Sequence, residues 1–321
     1  MPRVDRRDRR ISPASAAALL LLSLLLACSV LKTDLMSGLA LDPLPPLERQ
    51  VIPLALLALA AATIVVMRQA RWPDRRQLWI PALIGLGLFV APGVLVSFSS
   101  RWVSGPTRTG LLTLVSVFAV VLEPYVGLAS EAQRRGGLAA ALLAVVGTLF
   151  VFPVAIPASV EAGGAFVAVA MASLSIAAAN CLGVAAARLR GHSHASFAAI
   201  VAVAASTAAI ANGLAGALLE RSLWKWNAPT PELLWSIAVE MPALLLLFWL
   251  MPRLSATQMA SRFIWAPVLA ILAEATVFQL IRQLRPRTWL GLFLMAAGAT
   301  WLLFAPGEEA STNVLPLKLE L

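Results

Sequence analysis

GAFVAVAMASLSIAAANCLGVAAA, residues 164–187, carries no charged side chain across 24 positions. As a helix, rising about 1.5 Å per residue, it spans the roughly 30 Å hydrocarbon core of a bilayer. Working outward, comparable runs recur at 195–219, 232–251, 263–281 and 288–305 on one side and at 137–157, 110–130, 78–98, 51–67 and 14–31 on the other. The expected fold is therefore an all-α integral membrane protein with ten transmembrane helices. The separators have loop chemistry, such as Asp42-Pro43-Leu44-Pro45-Pro46, Ser104-Gly105-Pro106 and Asn227-Ala228-Pro229. Composition agrees: 60% of residues are hydrophobic and 13% charged, with mean hydropathy +0.84, against about 25% charged in soluble domains.

The net charge of +9 does not point to nucleic acid, because the basic residues sit in short clusters between apolar runs. With the N-terminus inside, 16 Lys and Arg fall on inner segments and 9 on outer ones. In that tally Arg49, Arg101 and Arg108 belong to outer loops, and Arg253 and Arg262 to an inner loop. The bias predicts both termini in the cytoplasm and a multi-pass protein of the cell (inner or plasma) membrane. Several tryptophans, among them Trp79, Trp102, Trp235, Trp249, Trp289 and Trp301, lie near span ends, as an interfacial belt requires. Cys28 and Cys181 lie inside apolar runs and read as small buried residues. The basic N-terminus followed by an apolar run, with Leu25-Leu26-Ala27-Cys28 near its end, resembles a cleavable leader. The uncleaved reading is preferred, because losing this span would leave an odd number.

Ten spans divide into five and five. The expected organisation is a basic N-terminal segment (1–13), a first five-helix repeat (14–157), a second (164–305) and a short C-terminal tail (306–321). Two repeats with an odd number of spans must lie inverted in the membrane, as in many secondary transporters. At an offset of 151 residues Glu123 falls on Glu274, Ala119 on Ala270, Arg134 on Arg285 and Gly147 on Gly298.

SFSSRWVSGPTRTGLLTLVSVFAVVLE (97–123) and MPRLSATQMASRFIWAPVLAILAE (251–274) share a pattern. Each has a small-residue turn, then a span, then a polar or acidic exit. With Pro45-Pro46-Leu47-Glu48-Arg49 and the Gly291/Gly298 spacing in the last span, the chain resembles the drug/metabolite transporter superfamily in its ten-span EamA-like branch. The likeness runs over nearly the whole chain. Pro267 stands where the family has a mid-span proline, while Ser116 replaces it in the first half. Glu131 matches the family's acidic exit, Arg282 departs from it, and the first half keeps only Gly147 of the glycine run. The resemblance implies a secondary transporter of metabolites or drug-like compounds, often an exporter, with a central cavity between inverted repeats. Substrate remains unassigned, since fold does not fix function.

Six residues are candidates for substrate binding or coupling. Glu123, Glu274 and Glu240 are carboxylates within apolar runs, where an ionisable group usually faces a cavity or a partner. Protons are the coupling ion they suggest. Asn180 and Asn212 offer either substrate contacts or interhelical hydrogen bonds. Trp265 either stacks on a ligand or packs. Spans 3, 4, 8 and 9 are expected to wall the cavity. Lys32 and Asp34 read as flankers or an outer gate, and His192 and His194 as loop residues. No phosphate-binding loop, zinc-binding helix, nucleophile elbow or ion-filter loop is present in the sequence. The expectation is a non-enzyme without cofactor or metal, whose partners are the lipid bilayer, an unidentified small molecule and no nucleic acid. A lipid or lipid-linked-sugar flippase on the same fold is the first alternative; an intramembrane enzyme or a non-transporting scaffold follows.

Overall fold

The computed structural model describes residues 11–38, 46–128, 131–152, 157, 159–188, 196–220, 234–277 and 284–304. Among them every regular element is helical. We label the helical segments α1 (Pro13–Gly38), α2 (Pro46–Met67), α3 (Arg75–Ser99), α4 (Gly105–Val126), α5 (Glu131–Val151), α6 (Val160–Arg188), α7 (Phe197–Leu219), α8 (Ser236–Leu250), α9 (Ala256–Thr276) and α10 (Pro286–Phe304). Eight are long and apolar enough to cross a membrane; α8, and α1 over Pro13–Ser29, are shorter apolar stretches. Large side chains such as Ile210, Leu218 and Phe293 stand exposed on the outside. Water would penalise that surface, whereas lipid accepts it. The chain is a multi-pass helical membrane protein. The 192–194 histidine pair and Arg282 lie outside the described residues, as do the side chains of Lys32, Asp34 and Glu131.

Two spans begin earlier than the apolar runs suggest. Ser104 caps α4, its hydroxyl accepting from the Thr107 N–H, with Pro106 in the first turn. Ser255 and Gln258 form a capping box at the start of α9. Helix therefore begins at Gly105 and Ala256, which draws Arg108 and Arg262 out of the loops and into the spans. Gly127, at φ +71°, ends α4 with its N–H bonded to the Pro124 carbonyl.

Prolines shape the two helices that flank the interior. In α3 a π-helical segment, Leu86–Val90, precedes Pro92; in α8 another, Ser236–Glu240, precedes Pro242. Proline cannot donate to the ladder and its ring crowds the preceding turn, so a wider turn restores the bonding.

Packing pairs α2 with α7 and α5 with α10 along their lengths, while α6 lies on α3 and α4, and α1 on α8 and α9. The α5–α10 contact is backbone on backbone. A Cβ on Gly147 would lie 2.7 Å from the Gly291 carbonyl oxygen, and one on Gly298 2.6 Å from that of Ala140. Small residues let membrane helices approach this closely, which replaces the missing hydrophobic drive with van der Waals contact.

Candidate functional site

A cavity of about 410 Å³ lies inside the bundle. Helices α3, α4, α8 and α9, expected to form the wall, each contribute, as do α1, α2 and, through Ile176, α6. Most of the lining is apolar: Leu22 and Leu25 from α1, Leu88 and Phe89 from the α3 π-segment, Leu247 from α8. The lining reaches Ser100, just past α3, and Arg49 and Arg108, in the first turns of α2 and α4. The cavity thus extends to the helix ends on one side of the bundle.

Four charged side chains line it: Arg49, Arg108, Glu240 and Arg262. Glu240 forms an ion pair with Arg49, Oε1 to Nε at 3.4 Å, joining α8 to α2. Arg262 is only 3% exposed. Its Nη1 donates to the Met259 carbonyl at 2.9 Å, its Nη2 donates to Asn180 Oδ1 at 3.3 Å, and the guanidinium lies 4.7 Å from the Phe263 ring centroid. None of these partners is a carboxylate. Arg108 likewise has no carboxylate partner among the described residues, and its Nε is buried without a hydrogen bond. Ser97 Oγ, also on the cavity wall, is buried and unbonded.

Beyond Arg262, more than a turn earlier in α9, the end of α4 is bonded to the start of α9. Glu123, 3% exposed, sits in the 3₁₀ turn that ends α4. Its Oε1 accepts from the Ala256 N–H at 3.0 Å, and its Oε2 accepts from the Thr257 hydroxyl. A carboxyl group there satisfies donors at the start of α9 that the helix itself leaves open. Beside it lies a cavity of about 20 Å³, lined also by Gln133, Arg134 and Ser255, which has room for about one water.

The six candidates therefore separate. Glu240 alone lines the large cavity. Asn180 touches it indirectly, by holding Arg262. Glu123 ties α4 to the start of α9 and does not line the large cavity. Glu274 is exposed near the C-terminal end of α9 and does not line the cavity, although its number maps onto Glu123. Asn212 donates to Gln50 Oε1 at 3.3 Å, an α7–α2 hydrogen bond. Trp265 packs with Val120, Ile264 and Leu292 on the α4–α10 side, away from the cavity. The sequence reading missed Arg49, Arg108 and Arg262, because it took them as loop charges that set topology. The signal that would have found the last two was the capping chemistry just upstream of each.

No family model matches the chain, and no curated protein matches it. Solved structures do. One, described only as "Crystal structure of protein", superposes with a TM-score of 0.68 at 16% sequence identity, covering 90% of this chain and 98% of its own. At that identity the likeness concerns the fold alone. It embraces nearly the whole of both chains, so this helical arrangement recurs in a solved structure.

Proposed function

We propose that this protein is a ten-span secondary transporter of the drug/metabolite, EamA-like type, built of two inverted five-helix repeats and working by alternating access. The observation that carries the reading is the interior cavity, which reaches the helix ends on one side and stops short of the Glu123 contact between α4 and α9 on the other; that contact is the proposed closed gate. A solute site near mid-membrane with one closed gate is what alternating access requires. A central void of this size has no place in a tightly packed scaffold.

Support for the repeats comes from features that recur in the two halves. The π-segment and proline of α3 have counterparts in α8, and the Ser104 cap of α4 has one in Ser255. Helices at matching positions pack on each other, α2 on α7 and α5 on α10. With both termini in the cytoplasm, as the charge bias of the sequence favours, the cavity opens outward and the Glu123 contact lies at the cytoplasmic end.

Glu240 is the carboxylate that protons reach from the cavity, and its release from Arg49 is the proposed coupling event. The test is proton-gradient-driven flux in proteoliposomes, screening pooled amino acids, drug-like cations, organic acids and small metabolites. Transport by the wild type that Glu240→Gln uncouples from the gradient supports the reading. Absence of flux for every pool overturns it. The basic lining makes flipping of an anionic lipid the second reading, and a headgroup-accessibility assay in the same vesicles decides between them.

A further inference from the structure

We propose that the cavity binds an amphipathic organic anion, its acidic group drawn to the Arg262 and Arg108 guanidiniums and its apolar body against Leu22, Leu25, Phe89 and Leu247. This inference rests on the transporter reading only for its biological use; the binding site stands on its own observations.

The first is charge. Three guanidiniums and one carboxylate line the cavity, and the carboxylate is already committed to Arg49. Arg262 and Arg108 have no acidic neighbour among the described residues. A guanidinium within a membrane span carries a large desolvation cost, normally offset by a counter-charge. Among the described residues none supplies that counter-charge, and a bound anion would.

The second observation is unused hydrogen-bonding capacity. Arginine has five N–H donors in a planar fork suited to carboxylate or phosphate oxygens. Protein oxygens engage Nη1 and Nη2 of Arg262 once each, and these contacts fix the group through Asn180 and Met259 rather than neutralise it. Arg108 Nε and Ser97 Oγ are buried in the same wall without partners. Such groups are satisfied when a ligand with several acceptor oxygens enters.

The third is shape. Most of the remaining lining is aliphatic or aromatic, with Ser29, Gln50 and Ser100 as its other polar members. A bare inorganic anion would leave that surface wet, whereas an anion with an apolar body of a few to a dozen carbons buries it.

The test uses the full chain in nanodiscs of phosphatidylcholine, a lipid without net charge. Four probes share one apolar body and differ in charge: 3-phenylpropionate and phenyl phosphate as anions, 3-phenylpropylamine as cation, 3-phenylpropanol as neutral. Calorimetric titration should show binding of at least one anion, with the amine and the alcohol about tenfold weaker or more, a difference worth roughly 1.4 kcal/mol. Arg262→Met, which keeps the bulk and removes the charge, should weaken the anion by about tenfold or more. Arg108→Gln, nearer the helix ends and only half-buried, carries the same test should the deeper variant not fold. Equal binding of the amine or alcohol, binding by none of the four, or unchanged anion affinity in the folded variants would overturn the assignment. A parallel titration in phosphatidylglycerol nanodiscs identifies the natural source. Probe binding abolished there assigns the site to an anionic lipid headgroup, and probe binding retained assigns it to a soluble anion. The two proposals fail separately: anion binding without flux removes the transporter and leaves the site, while flux of a cation removes the anion site and leaves the transporter.

Discussion

Glu123 and Arg262 show what a buried charge can do within a few residues of one helix. Arg262 faces the cavity. Glu123, from another helix, holds the turn of α9 that precedes Arg262, through the Ala256 N–H and the Thr257 hydroxyl. The proposed seal and the cavity therefore share one segment of α9. Removing the hydroxyl with Thr257→Val deletes one of the two bonds, a loss of about 1–2 kcal/mol that favours the unsealed state by roughly 5–30-fold. Cys181 reports it, being buried beside Val184 and Ala256 at this end. In a Cys28→Ser background, maleimide labelling of Cys181 should be slow in the parent and faster by that factor in Thr257→Val. Equal rates would mean that the contact does not seal the bundle. Glu123 was legible in the sequence because a carboxylate deep in an apolar run is rare. Its numerical partner Glu274 was equally visible, yet it lies exposed, since a repeat offset fixes position along a helix but not which neighbour the side chain meets.

At the scale of the element, eight of the ten apolar runs recur as helices long enough to cross a membrane, while the beginnings of helices were not legible. Hydropathy marks where lipid contact starts, whereas a helix starts where its first donors find acceptors. Ser104 and Ser255 supply those acceptors six and eight residues before the apolar runs at 110 and 263, respectively, and the intervening turns carry Arg108 and Arg262. Glycine spacing in the last span was legible as a pattern, but its meaning needed the fold: α10 meets α5 through Gly147, Gly291 and Gly298. Gly298→Ala would place a methyl group 2.6 Å from the Ala140 carbonyl oxygen and 2.9 Å from the Ala144 N. Backbone must shift to admit it, at a cost of about 1–3 kcal/mol. Gly136→Ala, also in α5 but with open space around the added methyl, should instead be neutral or stabilising by about 0.5–1 kcal/mol. Thermal unfolding of the two purified variants checks the contrast, and equal midpoints would show that the helices separate without cost.

For the molecule as a whole, the proposed division into two halves implies a second conformation. The proposed gate joins the C-terminal turn of α4, at Glu123, to the capped start of α9, at Ala256 and Thr257. The equivalent elements at the other end are the C-terminal part of α9, with exposed Glu274, and the capped start of α4, where Ser104 and Thr107 share a hydrogen bond at 2.9 Å. If the halves exchange roles during transport, Glu274 moves to the start of α4 as Glu123 leaves that of α9. A thiol pair at 107 and 274, made in a Cys28→Ser/Cys181→Ser background, should then be captured by a short bifunctional thiol reagent during turnover. Capture should stop flux and close the cavity to the anionic probes. A pair at 123 and 257, captured in the arrangement described here, should stop flux equally but leave probe binding intact. The asymmetry between the two captured forms is the informative quantity. A rigid bundle would give no product at 107 and 274, and a molecule that merely breathes would bind probe alike in both.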